Sequence, residues 1–336
     1  MLQILKKFST NLIVAIPTMM IAGFIYGLFA ETTWLKSMII PFTFLMVYPM
    51  MVTLKIKKVF EGGDFKAQVI TQFINFGIVP FLAFGAGRFF FEDRPYMALG
   101  LFLAGLVPTS GMTISWTGLA RGNMSAAIKM TVIGLIFGSL ATPFYVQAFM
   151  GTNIEMSLAA VFKQILFIVF LPMVAGYATQ RFLVNRYGQD DFQKVLAPKF
   201  PALSCLGVLG IVFVALALKA KTIASAPEML LKILVPLVLI YAVNFVLSTV
   251  VGKAMLPRGD AIALVYGSVM RNLSIALAIA INAFGAQGSD AALVIAMAYI
   301  VQVQSAAWYV KFTPSIFGEH KEQESAPALV PAESTS

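Results

Sequence analysis

Long apolar runs separated by short polar gaps fill almost the whole chain, and most runs are close to the roughly 20 residues that a bilayer-spanning helix needs. This pattern predicts ten membrane-spanning helices, at about residues 10–30, 34–54, 68–90, 96–119, 124–149, 157–183, 200–218, 229–255, 261–284 and 290–312. The first run follows two lysines, as in a signal peptide, but its length and the lack of a clear cleavage site favour a first span. The polar residues 313–336 predict a disordered tail.

Composition supports a protein that is embedded in lipid. The chain of 336 residues is 59% hydrophobic and only 12% charged, whereas soluble domains are about 25% charged. Its net charge of +9 does not indicate nucleic acid, because the basic residues lie in the gaps between apolar runs, where they suit lipid headgroups. The chain has a single cysteine, Cys205, and a single histidine, His320, which cannot form a metal site. We therefore expect that the protein has no cofactor and is not an enzyme.

The basic residues also predict orientation. Most of them lie at the chain ends and in the gaps that share a side with the ends: Lys6, Lys7, Lys55, Lys57, Lys58, Lys66, Arg121, Lys129, Arg181, Arg186, Lys194, Lys199, Lys253, Arg258, Lys311 and Lys321. Fewer lie on the other side: Lys36, Arg88, Arg94, Lys163, Lys219, Lys221 and Lys232. Cytoplasmic loops are the richer in lysine and arginine. We therefore expect both termini in the cytoplasm, in the cell membrane, with the Lys129 side chain reaching the cytoplasmic surface.

The spans divide into two halves, residues 1–151 and 152–312, with five predicted spans each. Because five is odd, a second copy of the same unit would enter the membrane upside down, as in many secondary transporters. Two short echoes support the repeat, "FINFGIVP" at 73–80 in the third span and "YAVNFVLS" at 241–248 in the eighth.

The fourth span of each half contains an interruption. The first is "LVPTSGMTISWTGLARGN" at 106–123, where Pro108 lacks an amide proton; the second is "YGSVMRNLS" at 266–274. Irregular backbone at membrane depth persists only where protein or a water-filled cavity satisfies it. Either Pro108 merely kinks a helix, or two broken helices at matching positions form a central binding site; the matching positions favour the second interpretation.

Arg271 lies inside the second interruption. No carboxylate lies inside a span, because the acidic residues near the spans are at span ends or in the gaps between them. A charge at the bilayer centre costs about 2.5–3.5 kcal/mol on insertion scales, and guanidinium cannot be deprotonated. Three interpretations compete: a built-in cation that attracts an anionic solute, a structural cap for carbonyl groups, and a side chain that snorkels to an interface. We favour the first.

At these residues the chain resembles the superfamily of bile acid:sodium symporters and arsenite-efflux permeases. The first interruption, "RNLSIALAIAINAFG" at 271–285 and "NFGIVPFLAF" at 75–84 are similar to arsenite-permease segments, and the similarity covers nearly all ten spans. It implies an all-α polytopic membrane protein with ten transmembrane helices in two inverted five-helix repeats. It also implies a panel, to which spans one and six contribute, and a mobile core in which discontinuous fourth and ninth helices cross.

The departures from that pattern concern the ligands. Thr109 stands where arsenite permeases have a cysteine, and Ser274 stands where they have a glutamate. At sodium-ligand positions of the symporters the chain has Thr113 with Ile114, Ala127, Gly267 and Arg271; a threonine persists at Thr131. Hard cations need several oxygen ligands, so the resemblance implies weakened sodium sites. Cys205 is far from the interruption and is expected to be a small buried hydrophobe.

We therefore predict a secondary transporter of a small anionic solute that works by alternating access without conventional sodium coupling. The predicted solute ligands are Thr109, Ser110, Thr113, Arg271, Asn272 and Ser274, and further cavity-lining positions are Asn75, Gln302 and Gln304. Expected partners are the solute and the bilayer. Alternatives are an arsenite or metalloid oxyanion efflux permease, and a membrane sensor or scaffold that does not transport.

Overall fold

A computed structural model describes residues 12–55, 63–107, 109–151, 158–285 and 287–318, and these residues are almost entirely helical. The main helices are α1 (Leu12–Phe29), α2 (Ile39–Val52), α3 (Phe65–Phe90), α4 (Pro95–Leu106), α5 (Gly111–Leu119), α6 (Met124–Met150), α7 (residues 158–187), α8 (Phe200–Ser225), α9 (Glu228–Met255), α10 (Arg258–Val269), α11 (Leu273–Phe284) and α12 (Gly288–Phe317). Several positions used above lie outside the described residues: Lys6, Lys7, Lys57, Lys58, Pro108, His320 and Lys321.

Each predicted span coincides with a helical stretch. Eight stretches of the described chain are long and apolar enough to cross a membrane, and nine if the bent pair α4–α5 is one span. The described part of α1 is apolar but shorter. The protein is therefore a multi-pass, all-helical membrane protein. One boundary was wrong: α12 continues through residues 313–317, which had been assigned to the disordered tail, and most of that tail lies outside the described residues.

The helices form two layers. We call the first layer the panel: α8 packs against α1 and α2, and α7 packs against α2. We call the second layer the core: α3 to α6 pack with α9 to α12. Small residues allow the close approach of α1 to α8, since a Cβ added at Gly27 would overlap the carbonyl oxygen of Ala217. The panel thus contains spans two and seven in addition to one and six.

Proline and π-helical turns shape α3, which borders the site. The segment Phe73–Ile78 is π-helical. Pro80 has no amide proton to donate to the Phe76 carbonyl, and the Tyr145 hydroxyl donates a hydrogen bond to that carbonyl at 2.8 Å instead. Because α6 supplies this substitute donor, α3 can pass through the membrane without an unsatisfied backbone group.

Candidate functional site

The first interruption separates α4 from α5, whose axes differ by 56°. Val107 is extended, with φ −80° and ψ 96°, and Thr109 has a left-handed φ of 53°. Such a conformation costs a non-glycine residue about 1–3 kcal/mol, so the surrounding structure must hold it in place. Ser110 then caps α5, because its Oγ accepts a hydrogen bond from the Met112 amide at 3.2 Å.

The second interruption separates α10 from α11 by three residues, although Arg258–Phe284 still forms a single span without the sharp bend of the first. Met270 is extended, with φ −77° and ψ 91°. Asn272 caps α11, since its Oδ1 accepts a hydrogen bond from the Ile275 amide at 3.2 Å. In both halves of the chain, therefore, a break is followed by a polar cap at the start of a new helix.

The two breaks meet. The Asn272 amide donates a hydrogen bond of 2.9 Å to the Val107 carbonyl, which joins one unwound segment to the other. The capped N-termini of α5 and α11 begin at this crossing, and a helix N-terminus carries a partial positive charge that favours anions. In the described residues both helices are interrupted and the interruptions are adjacent, whereas the crossing within an inverted repeat stays a prediction.

Side chains from neighbouring helices bind carbonyl groups in the last turn of α10, where the Tyr266 carbonyl also accepts from the Met270 amide at 3.0 Å. Asn75 donates to the Gly267 carbonyl at 3.0 Å, Asn244 to the Ser268 carbonyl at 2.9 Å, and Thr113 to the Tyr266 carbonyl at 3.3 Å. Asn75 and Thr113 had been predicted to line a cavity or contact solute. In this structure both donate to carbonyl groups of α10, and the predicted roles stay predictions.

The Gln302 side chain forms hydrogen bonds with both the backbone amide and the backbone carbonyl of Arg271. Its Oε1 accepts from the Arg271 amide at 2.8 Å, its Nε2 donates to the Arg271 carbonyl at 3.2 Å, and the Tyr241 hydroxyl donates to the same Oε1 at 2.8 Å. Gln302 was predicted as a cavity-lining residue, but it replaces the missing helical hydrogen bonds of the break. Gln304 is exposed on α12 and lines none of the cavities described below.

The Arg271 side chain is only 2% exposed, which excludes the snorkelling interpretation in this conformation. Its Nη1 and Nη2 atoms are buried and have no hydrogen-bond partner among the described residues. The capping interpretation is also disfavoured, because these atoms bind no carbonyl. Arg271 borders a small cavity of the core, the Arg271 cavity, whose other lining residues are Val79, Leu101, Ala104, Gly105, Leu237, Ile240, Tyr241 and Asn244.

A second cavity, the crossing cavity, lies between core and panel and has a volume of about 140 Å³. Thr109, Ser110 and Asn272 line it, together with Thr131 of α6. The end of α2 supplies the panel side, with residues from Met50 to Lys55. Half of the six predicted solute ligands therefore share one cavity.

The other predicted ligands face elsewhere. Arg271 borders its own cavity, and Thr113 binds a carbonyl of α10. The Ser274 hydroxyl forms a hydrogen bond of 2.6 Å with the Tyr299 hydroxyl inside the core. Lys55 and Tyr241 were not predicted, because nothing in the local pattern of a span end or an apolar helix reveals which cavity a side chain will border.

Lys129 does not reach the surface as expected. Its side chain is 3% exposed and forms an ion pair of 2.9 Å with Asp64, which is 15% exposed. Asn123 donates from Nδ2 to both Asp64, at 3.1 Å, and Asp260, at 2.7 Å. The sequence places Asp64 in a gap, and only the tertiary fold brings it beside α6. This cluster ties three core elements together at one end of the bundle.

A third cavity, the distal cavity, lies at the other end of α2 and measures about 430 Å³. Lys36 of the panel side and Asn282 of the core line it. Asn282 donates a long hydrogen bond of 3.5 Å to Thr43 across the two layers. Beside the cavity, Lys219 of α8 forms an ion pair of 2.8 Å with Asp290 of α12. Core and panel are thus joined by polar contacts next to this cavity.

The chain is similar to known proteins of one family. The model of the Sodium Bile acid symporter family matches residues 40–226. The arsenical-resistance protein Acr3 of Alkaliphilus metalliredigens is 26% identical over 80% of this chain and 79% of its own length. The Acr3 protein of Corynebacterium glutamicum is 22% identical over 73% and 70%. The sodium-dependent transporter YocS of Bacillus subtilis is 27% identical over 74% and 75%.

Proposed function

The chain belongs to the sodium bile acid symporter family and is a secondary membrane transporter rather than an enzyme; we propose that its solute is a small anion. Transport would proceed by alternating access, without conventional sodium coupling. The observation that carries the proposal is the joined pair of helix breaks, in which Asn272 binds Val107 and both new helices begin at the crossing.

The chemistry of the crossing cavity supports an anion. Thr109, Ser110 and Asn272 offer hydroxyl and amide groups, and Lys55 adds a positive charge. The residues that line this cavity in the described chain include no aspartate or glutamate. Two helix N-termini strengthen the positive field, and a carboxylate or oxyanion would find several hydrogen-bond donors there.

Arg271 supports independence from sodium. A cation about 4 Å from a guanidinium is repelled by roughly 4 kcal/mol at an effective dielectric of about 20. Since Arg271 is buried in the core at the break, it would act as a permanent charge at a position that the resemblance to the symporters aligns with a sodium ligand. The named relative YocS is sodium-dependent, so a direct comparison of the two would be informative.

The proposed topology has ten spans in two inverted repeats, residues 1–151 and 152–312, with both termini in the cytoplasm of the cell membrane. Equivalent breaks with equivalent caps, Ser110 in one half and Asn272 in the other, support the repeat. The crossing cavity and the distal cavity lie at opposite ends of α2, as expected for access from alternate sides.

The test is uptake into proteoliposomes of radiolabelled acetate, lactate, sulfate and arsenate, with either potassium or sodium as the cation. We expect at least one anion to enter equally well in both salts. Ser110→Ala and Asn272→Ala should reduce that uptake, whereas Ser37→Ala, an exposed serine far from the crossing, should not. Uptake that requires sodium, or that is unaffected by both site variants, would contradict the proposal.

A second candidate is arsenite efflux, which the names of two relatives suggest. The hydroxyl groups of Thr109, Ser110 and Thr131 in the crossing cavity could bind the hydroxyls of arsenous acid in place of a thiolate. Growth of an arsenite-sensitive host with and without the gene distinguishes the two solutes. Ligand binding without flux in any proteoliposome assay would instead favour a sensor or scaffold.

A further inference from the structure

The guanidinium of Arg271 is a buried charge without a counter-charge among the described residues. Its Nη1 and Nη2 atoms are buried and have no partner. The nearest acid along the chain, Asp260, binds Asn123 at the end of the bundle. A charge at this depth costs several kcal/mol unless something pairs with it, and an arginine cannot avoid the cost by losing its proton.

The Arg271 cavity has room for one small particle. Its volume is only about 10 Å³, against about 140 Å³ for the crossing cavity. The crossing cavity is the roomier of the two, so we assign the anionic solute of the proposed function to it. The narrower Arg271 cavity suits a smaller species, a monatomic anion or water.

The other polar groups of the Arg271 cavity are already occupied. The Tyr241 hydroxyl donates to Gln302. Asn244 donates to the Ser268 carbonyl and accepts from the Ser248 hydroxyl at 3.1 Å. A water molecule in a protein interior typically has about three polar partners, and this cavity offers it chiefly the guanidinium. An anion instead gains the full charge interaction with two N–H donors.

We propose that Arg271 binds a single halide ion, with chloride as the physiological ligand, in the Arg271 cavity. The apolar walls favour a weakly hydrated monovalent ion, because such an ion loses less hydration free energy on leaving water than a strongly hydrated one, and the guanidinium charge offsets that loss. Chloride, bromide and iodide meet this requirement, whereas fluoride and sulfate are strongly hydrated. The site is separate from the crossing cavity and shares no lining residue with it.

A consequence for transport rests on the proposed function. Asn272, which lines the crossing cavity, is the neighbour of Arg271 along the chain. A halide bound to Arg271 neutralises the charge that would attract an anionic solute. Halide and solute therefore weaken each other's binding, and by linkage each lowers the affinity of the other by the same factor. This coupling suits an exchange of the solute against chloride.

The binding test uses the purified full-length protein in potassium gluconate, with potassium chloride, bromide, iodide, fluoride or sulfate added at matched ionic strength. We expect saturable thermal stabilisation by the first three anions and none by the last two. Arg271→Gln should weaken this halide affinity by about tenfold or more, the loss typical of a charge-assisted hydrogen bond. Arg271→Lys keeps the charge and should retain weakened binding, and the exposed Arg181→Gln should behave as the parent protein.

Crystallography gives a second test of the proposal, because it locates the bound halide. Crystals soaked in bromide should show one anomalous peak in contact with Arg271 Nη1 and Nη2, and Ala104→Val, which narrows the cavity without touching the charge, should remove it. Absence of halide stabilisation in the parent protein would overturn the proposal, as would stabilisation that persists in Arg271→Gln. Halide binding can succeed without any solute uptake, and uptake can succeed without halide binding, so failures of the two proposals are distinguishable.

Discussion

Replacing Arg271 by methionine should stabilise the folded protein while it removes anion-dependent function. The break does not depend on the arginine side chain, because Gln302 holds residue 271 through its backbone amide and carbonyl. Methionine is long, flexible and apolar, so it can occupy the same space among the apolar walls of the Arg271 cavity. The substitution thus deletes a buried charge and leaves the hydrogen bonds of the backbone in place.

The size of the effect follows from the environment of the guanidinium. Insertion scales give a cost of about 2.5–3.5 kcal/mol for an arginine at the membrane centre. Burial at 2% exposure, with both terminal nitrogens unpartnered in the described chain, indicates that most of this cost is present in the native state. We expect the free energy of unfolding to rise by about 2–3 kcal/mol in halide-free buffer.

The assay is reversible denaturant unfolding in mixed micelles, in potassium gluconate, beside the uptake measurement. Arg181→Met is the matched control; its side chain is exposed, so its free energy of unfolding should change by no more than about 0.5 kcal/mol. Chloride should shrink the difference between parent and Arg271→Met, because it stabilises only the parent. A loss of stability in Arg271→Met of more than about 1 kcal/mol would refute the reasoning and identify the guanidinium as a structural cap.

Three further predictions test the packing around the site. Gln302→Leu should lower the free energy of unfolding by about 3 kcal/mol or more, since each buried group it leaves unpaired costs about 1–3 kcal/mol; Gln304→Leu, on the exposed face of the same helix, should be nearly neutral. Lys219→Ala or Asp290→Ala should favour opening of the distal cavity by about fivefold, which corresponds to the roughly 1 kcal/mol of a partly exposed ion pair. The labelling rate of a cysteine placed in that cavity measures the opening. Exchanging the two charged residues should restore the labelling rate of the parent protein. Gly27→Val should separate α1 from α8 and destabilise by about 1–3 kcal/mol in the same unfolding assay, and an unchanged midpoint would contradict the close packing.

Prediction from the sequence was most successful where one dominant force acts along the chain. Apolar runs near bilayer length became helices at every predicted position, because a backbone in lipid must satisfy its hydrogen bonds internally. The two interruptions were also predicted, since the Arg271 charge and the surrounding hydroxyl groups do not fit a regular span. Cys205 is buried, as expected for an isolated thiol in an apolar helix.

The sequence did not reveal the direction in which a polar side chain points. Asn75, Thr113 and Gln302 look alike in sequence, as polar residues in apolar helices, yet each binds backbone groups of the broken helix rather than lining the crossing cavity. Lys129 was expected to reach the membrane surface, but Asp64 lies within 2.9 Å of it. The expectation for Lys129 was wrong, and in both cases the partners are far away along the chain, where no local pattern contains them.

The sequence by itself determined that this is a helical membrane protein with two broken helices and one arginine at depth, because hydropathy and charge act residue by residue. Only the tertiary structure decided that the two breaks are hydrogen-bonded to each other and that Ser110 and Asn272 share a cavity. It alone placed the Arg271 guanidinium in a separate cavity of the core. The physical reason is that helix packing sets the rotation of each helix about its axis, and this rotation determines which neighbour every side chain meets.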